Sequence, residues 1–193
     1  MIRVAVVDDH PAMRAALANV FSTEHDIVLA GESDGEEQHL WPMLNIVRPD
    51  LVLLDYHLPP GDGLQFCHRI KYEIPAPKVI VFTAYASPTL ALPATLAAAD
   101  AMLPKGTGAR ALFAAIRQVC DGKRLLPPIS AAVIDESCAE LLEPDRALVA
   151  MLLAGVTETQ ISSALELSPR DVRHAVRRIL SALQLEIPSA RPG

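Results

Sequence analysis

The sequence predicts an α/β fold, a doubly wound five-stranded parallel sheet followed by a small all-helical unit. Three observations lead there. Apolar runs such as IRVAVV, DLVLL and KVIVF are too short for helices with a polar face and are rich in Val, Ile and Leu, as strands buried on both faces are. Helix-period stretches separate these runs at the spacing of βαβ units. Beyond about residue 140 the periodicity becomes purely helical.

Each element has its own signal. Pro11 stands where a first helix would begin, and Met13, Leu17, Val20 and Phe21 come after it at helical spacing. A second strand, IVLAGE from Ile27, precedes a helix through HLWPMLNIV, with Pro42 expected in its first turn rather than its middle. After Asp55 the string LPPGDG reads as a turn cluster. The run AMLP before Lys105 gives the fifth strand, and a last helix runs roughly from Gly108 to Cys120, ending before Asp121 and Gly122. Proline cannot donate to a ladder, so Pro104 belongs on an edge strand, which fits the flavodoxin-like order 2-1-3-4-5.

This first unit spans residues 1–122. Residues 123–139, with Pro127 and Pro128 in sequence, read as a linker holding about one helical turn. Residues 140–187 read as a helix-turn-helix unit and 188–193 as a disordered tail. Within the helical unit a scaffold helix covers Asp145 to Leu153, and Thr157 with Gln160 makes a capping box for a second helix. Ser168, Pro169 and Asp171 then supply a cap, a first-position proline and an acidic first turn for a third.

A chain of 193 residues that is 51% hydrophobic can bury a real core in one domain or two small ones. Cys67, Cys120 and Cys138 are odd in number and lack metal-type spacing, so they are expected to be reduced packing residues. No signal-peptide pattern opens the chain, and ALVAMLLAGV falls well short of the roughly 20 apolar residues a membrane helix needs. A soluble intracellular protein with no membrane partner is expected.

The chemistry gathers at strand ends. Asp8 and Asp9 close the first apolar run and Asp55 closes the third, so three carboxylates should meet at the carboxyl edge of one sheet, where ligands of open α/β sheets bind. Packing three anions there is costly unless a cation joins them, and an all-oxygen site that keeps waters suits Mg²⁺. Thr83 and Lys105 end the next two strands. An acyl phosphate on Asp55 would need all of these groups: a metal to offset its charge, Thr83 to donate to one phosphoryl oxygen, and Lys105 to pair with another. Taken singly, each residue is ordinary; their joint order points to phosphorylation.

The segments VAVVDDH, DLVLLDYHLPPGDGL, VIVFTA and LPKG together resemble a bacterial two-component receiver domain, and the region after them resembles the helix-turn-helix output of the NarL/FixJ class. The resemblance covers nearly the whole chain. It implies a transcriptional response regulator in the cytoplasm, phosphorylated on Asp55 by a sensor histidine kinase, and not a substrate-turnover enzyme. It also implies Asp9 as a direct Mg²⁺ ligand, Asp8 as a ligand through water, the carbonyl of His57 as a further ligand, and the family's hydroxyl and lysine roles for Thr83 and Lys105. A small phosphohydrolase with an Asp nucleophile is the distant rival; its acid/base position, two residues after Asp55, holds His57.

The third output helix carries the DNA argument. Val172, Val176, Ile179, Leu180 and Leu183 share one stripe, and Arg170, Arg173, His174 and Arg177 gather opposite. With Arg178, the helix sets four arginines against Asp171 in a protein of net charge −6, a local surplus suited to promoter DNA phosphates. Several residues depart from the resemblance. Glu166 stands at the turn position usually held by Gly, Asp171 and Ala175 replace polar residues, Met102 replaces the usual aromatic three residues before the lysine, and EIPSARPG is too short and proline-broken for a fourth, dimerising helix. Tyr85 could in part replace the aromatic. These departures leave a homodimer open and keep an alternative in view: an atypical regulator gating a protein partner or acting independently of phosphorylation.

Overall fold

The computed structural model describes residues 1–58, 61–73, 75–84 and 87–183. Among these, five strands pair in parallel in the spatial order β2 (Ile27–Ser33), β1 (Ile2–Val7), β3 (Leu51–Asp55), β6 (Lys78–Thr83) and β7 (Ala101–Pro104). Two further strands, β4 (His57–Leu58) and β5 (Gly61–Asp62), form a separate short hairpin, so the sheet's own strands adopt the expected 2-1-3-4-5. Pro104 lies on the edge strand opposite Thr83, as its missing N–H requires.

Alternation along the strands builds two apolar layers. Val4, Val6, Leu51, Leu53, Ile80 and Phe82 face α1 (Pro11–Phe21) and α5 (Ala109–Cys120), where Phe21 and Phe113 meet edge to face at 5.7 Å. Ala5, Val7, Val52, Leu54, Val79 and Val81 face the other way, toward α2 (Glu37–Val47), α3 (Gly63–Ile70) and α4 (Pro88–Leu96). Pro42 departs from expectation: α2 begins at Glu37, which puts the proline in the helix interior. The bond it forfeits is to the carbonyl of Gln38, an exposed residue whose carbonyl water can serve.

One helix dictates how the two halves meet. In α4, Leu90, Ala91, Leu92, Ala94 and Leu96 are all buried, and a helix apolar all round needs cover on every side. The sheet covers one side. The other is covered by α6 (Ala131–Ser137), α7 (Glu143–Leu153) and α9 (Pro169–Ala182). Leu90 and Leu92 therefore belong to the same continuous apolar cluster as Leu148, Val149, Val176 and Ile179.

The stretch 123–139 is more ordered than a linker with one turn. Leu125 bridges to Ala101 at the sheet edge and accepts from Met102 N at 3.1 Å, and α6 is a seven-residue helix capped by Ser130. Little periodicity marked this helix because none of its residues is fully buried. The scaffold helix α7 opens at Glu143, two residues before its expected start. In α8 (Glu158–Leu165) both halves of the Thr157 and Gln160 capping box form, and Ser168 accepts from Asp171 N to cap α9. Cys67 and Cys138 are buried and Cys120 half-buried, all as free thiols. No described helix is long and apolar enough to cross a membrane. Tyr85, the tail 188–193 and the place of a fourth output helix lie outside the described residues.

Glu166 does occupy the left-handed region, at φ 54°, as the C-cap of α8. Its side chain is exposed, so replacement loses no packing. Glu166→Gly should stabilise the chain by about 0.5–1 kcal/mol, read from urea unfolding midpoints.

Candidate functional site

The carboxyl ends of β1 and β3 place their acids side by side. Asp8 is 2% exposed and Asp55 3%, and the ammonium of Lys105, one residue past β7, sits between them at 2.7 Å from Asp8 Oδ2 and 2.8 Å from Asp55 Oδ2. Lys105 is held in turn by its own amide, which donates to the Thr83 carbonyl at 2.8 Å, and Thr83 is 1% exposed at the end of β6. The His57 amide donates to Asp55 Oδ1 at 3.3 Å, while its imidazole faces solvent. Strand pairing alone therefore unites Asp8, Asp9, Asp55, Thr83 and Lys105 at one sheet edge. The five residues come from four different strands' ends.

The electrostatics show what this edge lacks. Burial, aided by the neighbouring Asp8 charge, raises the Asp55 carboxyl above its ordinary range even though Lys105 works the other way. Burial also disfavours the Lys105 ammonium, but its bonds to Asp55 and Asp8 outweigh that and raise its pKa. Asp9 completes the cluster. Its Oδ1 is enclosed, lies 2.5 Å from His10 Nδ1 and accepts no hydrogen bond. Ligand atoms of Asp8, Asp9, His10 and Asp55 all lie within 4.8 Å of one another. One lysine bridging two of three clustered carboxylates, the third with an enclosed oxygen that accepts no hydrogen bond, fits a hard divalent cation.

Sequence reasoning missed three contributors. His10 stands among the ligand atoms, and Arg14 donates to the Asp8 carbonyl at 2.6 Å, pinning the strand tip that carries the acidic pair. Adjacency in DDH was the available signal for His10; nothing in the sequence marked Arg14. Gly63 is the third. A Cβ built there would lie 2.0 Å from the Asp55 carbonyl oxygen and 2.9 Å from Tyr56 Cα. Both are backbone and cannot step aside. Gly63→Ala should therefore cost about 2 kcal/mol or more, by analogy with overpacked cores, and displace the Asp55 main chain; thermal melts together with phosphoryl uptake check it.

The residues expected to contact DNA part company. Arg170, His174 and Arg177 are exposed on α9, opposite the buried Val172, Val176, Ile179 and Leu180. Arg173 instead pairs with Glu158 at 3.0 Å and lies 4.8 Å over the Tyr72 ring, and Arg178 pairs with Asp145 at 2.5 Å. The polar face of α9 rests on α3: Gln65 Nε2 donates to the Arg177 carbonyl at 2.9 Å and to Ser181 Oγ at 3.0 Å. Two clefts of about 320 and 430 Å³ flank this contact and share Arg69, His174 and Arg177. A helix seated this closely on α3 cannot also enter a DNA major groove.

A parallel sheet with an acidic, lysine-bridged edge, packed against a capped helix-turn-helix, defines a two-part signalling regulator. The chain belongs to the response regulator receiver domain family, whose model matches residues 4–117. It is 28% identical to the DNA-binding transcriptional activator DevR/DosR of Mycobacterium tuberculosis, over 96% of this chain and 90% of that protein. The response regulator protein VraR of Staphylococcus aureus is 25% identical over 96% of this chain and 91% of its own length. Among solved structures, the response regulator ChrA of a heme-sensing two-component system superposes with a TM-score of 0.55 at 25% identity, covering 98% of this chain and 93% of that one. A LuxR-family two-component response regulator from Aurantimonas sp. SI85-9A1 does so with a TM-score of 0.61 at 25% identity, covering 72% of this chain and 99% of that one. The protein is thus a response regulator, similar to regulators of the NarL/LuxR type, in a family of regulators rather than enzymes.

Proposed function

We propose that Asp55 is the phosphoacceptor of a cytoplasmic transcriptional regulator, and that a sensor histidine kinase supplies its phosphoryl group. The observation that carries this is the buried Asp55 carboxylate sharing one ammonium with Asp8 beside the undonated oxygen of Asp9. Asp9, Asp55 and the His57 carbonyl would hold Mg²⁺, with Asp8 acting through water. A bound Mg²⁺ supplies charge neutralisation between the carboxylates and the incoming phosphoryl oxygens. The Asp55 carboxylate attacks phosphorus in line, the P–N bond to the kinase histidine breaks, and the electron pair returns to that imidazole. Lys105 then pairs with one product oxygen and Thr83 donates to another.

The mark changes the charge beside Lys105, whose ammonium it competes for against Asp8, and biases the arrangement in which α9 is held on α3. In the resting form Arg173, His174 and Arg177 face the receiver. Release turns the basic face of α9 outward to promoter DNA, as a homodimer or as a single module whose binding is weak and salt-sensitive. Residues 1–122 act as the receiver, 123–139 as the connector and 140–187 as the output unit. Anisotropy titrations with a promoter-length duplex test the output: phosphorylated chain should bind with affinity that falls steeply with salt, and unphosphorylated chain more weakly. Because Glu166 and Asp171 set an anion at each end of the turn into α9, a flat salt response would transfer the output role to a protein partner.

A further inference from the structure

Among the described residues, His68 is the one imidazole buried where the two halves meet. It sits on α3, 3% exposed, in the wall of the cleft that Arg173, His174 and Arg177 of α9 close from the other side. Tyr72 meets its ring edge-on at 5.0 Å, and Arg173 lies over that tyrosine. Its Nε2 is sealed from solvent and has no hydrogen-bond partner.

A neutral ring tolerates this setting and a cation does not. The charged groups around it are Arg69 and Glu73 near the end of α3, Glu37 on α2, Glu158 on α8, and Arg173, His174 and Arg177 on α9. None of the acids pairs with the ring. Glu158 holds Arg173 at 3.0 Å and accepts from the Tyr72 hydroxyl, Glu37 is paired to Arg69, and Glu73 is exposed at the cleft mouth. A proton on Nε2 would thus add a positive charge beside Arg173 and Arg177 that no carboxylate in contact offsets.

We propose that His68 is an acid-sensitive latch: protonation of its buried ring expels α9 from α3 and opens the regulator without any mark on Asp55. The proposal rests on reading the α3–α9 contact as the resting form.

The direction comes from linkage. Burial, then the charges of Arg177 and Arg173, hold the His68 pKa at about 4 in the closed form, against 6.5 ordinarily, and a contact with the Arg173 main chain only partly offsets them. A base with a depressed pKa adds stability to the closed form above its ordinary value, and that contribution is lost as pH falls from there toward the depressed one. The open-to-closed ratio should therefore rise about tenfold between pH 7.5 and 5.5.

The test uses the unphosphorylated full chain, labelled at exposed Ala15 on α1 and Ser163 on α8, with the open and closed populations counted by single-molecule energy transfer. Wild type should show the tenfold rise, His25→Gln, an exposed imidazole away from both clefts, should behave as wild type, and His68→Gln should show no rise. His68→Leu serves the same purpose if the glutamine variant fails to fold by circular dichroism. A wild-type ratio that ignores pH, or a His68 variant that still responds to it, overturns the latch. If that flat ratio still responds to a phosphodonor, the closed resting form stands and the latch alone falls. A chain already open at pH 7.5 overturns both.

Discussion

Asp55→Ala should take up no phosphoryl group. Given Mg²⁺ and a small phosphodonor such as acetyl phosphate, wild type should gain the mass of one phosphoryl group, and the variant less than about one-hundredth of that. The geometry explains why no neighbour substitutes. Asp8 is equally buried and shares Lys105, but its strand lies between β2 and β3 and does not pair with β6, whose end carries Thr83. Asp55 ends the strand that pairs directly with β6, and the turn at Gly63 closes on its carbonyl. Its pH response has its origin in the same burial. Because its carboxyl is raised, the nucleophilic anion disappears at a higher pH than an ordinary aspartate would, so uptake should decline on acidification through that raised value, while Mg²⁺ shifts the decline downward. Mass spectrometry across a pH series, with and without metal, reads both effects.

Lys105→Met should destabilise the metal-free protein by about 3 kcal/mol at neutral pH, the cost of leaving buried charges without their partner. The methionine fills the stem's volume, so the loss is electrostatic. Asp8 and Asp55, which now share one ammonium, would face each other and Asp9 with none. Millimolar Mg²⁺ should restore most of the loss by taking the place of the missing cation, so the gap between variant and wild type in urea unfolding should narrow as metal is added. A gap that is small without metal, or unchanged by it, would mean the acids do not act as one cluster. The variant should also fail to convert phosphorylation into opening, because no ammonium responds to the new charge.

Most of the fold was legible because its signals are local. Pro11, Ser168, Pro169 and the Thr157 and Gln160 pair mark helix starts through the hydrogen bonds they make or cannot make. Pro104 fixed its strand at the edge for the same reason. The acidic edge was legible too, since strand ends are where parallel pairing must bring side chains together. What escaped depends on partners distant in sequence. Pro42 sits mid-helix because an exposed turn can spare one bond. Arg14 reaches back to Asp8, and Gly63 is required by the close approach of the Asp55 carbonyl. The union of the two halves was the largest such case. The even burial of α4 signals a second cover, but only the folded chain reveals that α6, α7 and α9 provide it, and that His68 is trapped in the process.

The most direct measurement is chemical. Phosphorylated wild-type chain treated with borohydride, which reduces an aspartyl phosphate to homoserine, should yield after proteolysis one altered residue, at position 55, and only when Mg²⁺ was present during labelling. Homoserine at Asp8 or Asp9, or a stable phosphate recovered from a serine, threonine or histidine instead, would contradict an acidic sheet edge that directs the phosphoryl group to Asp55.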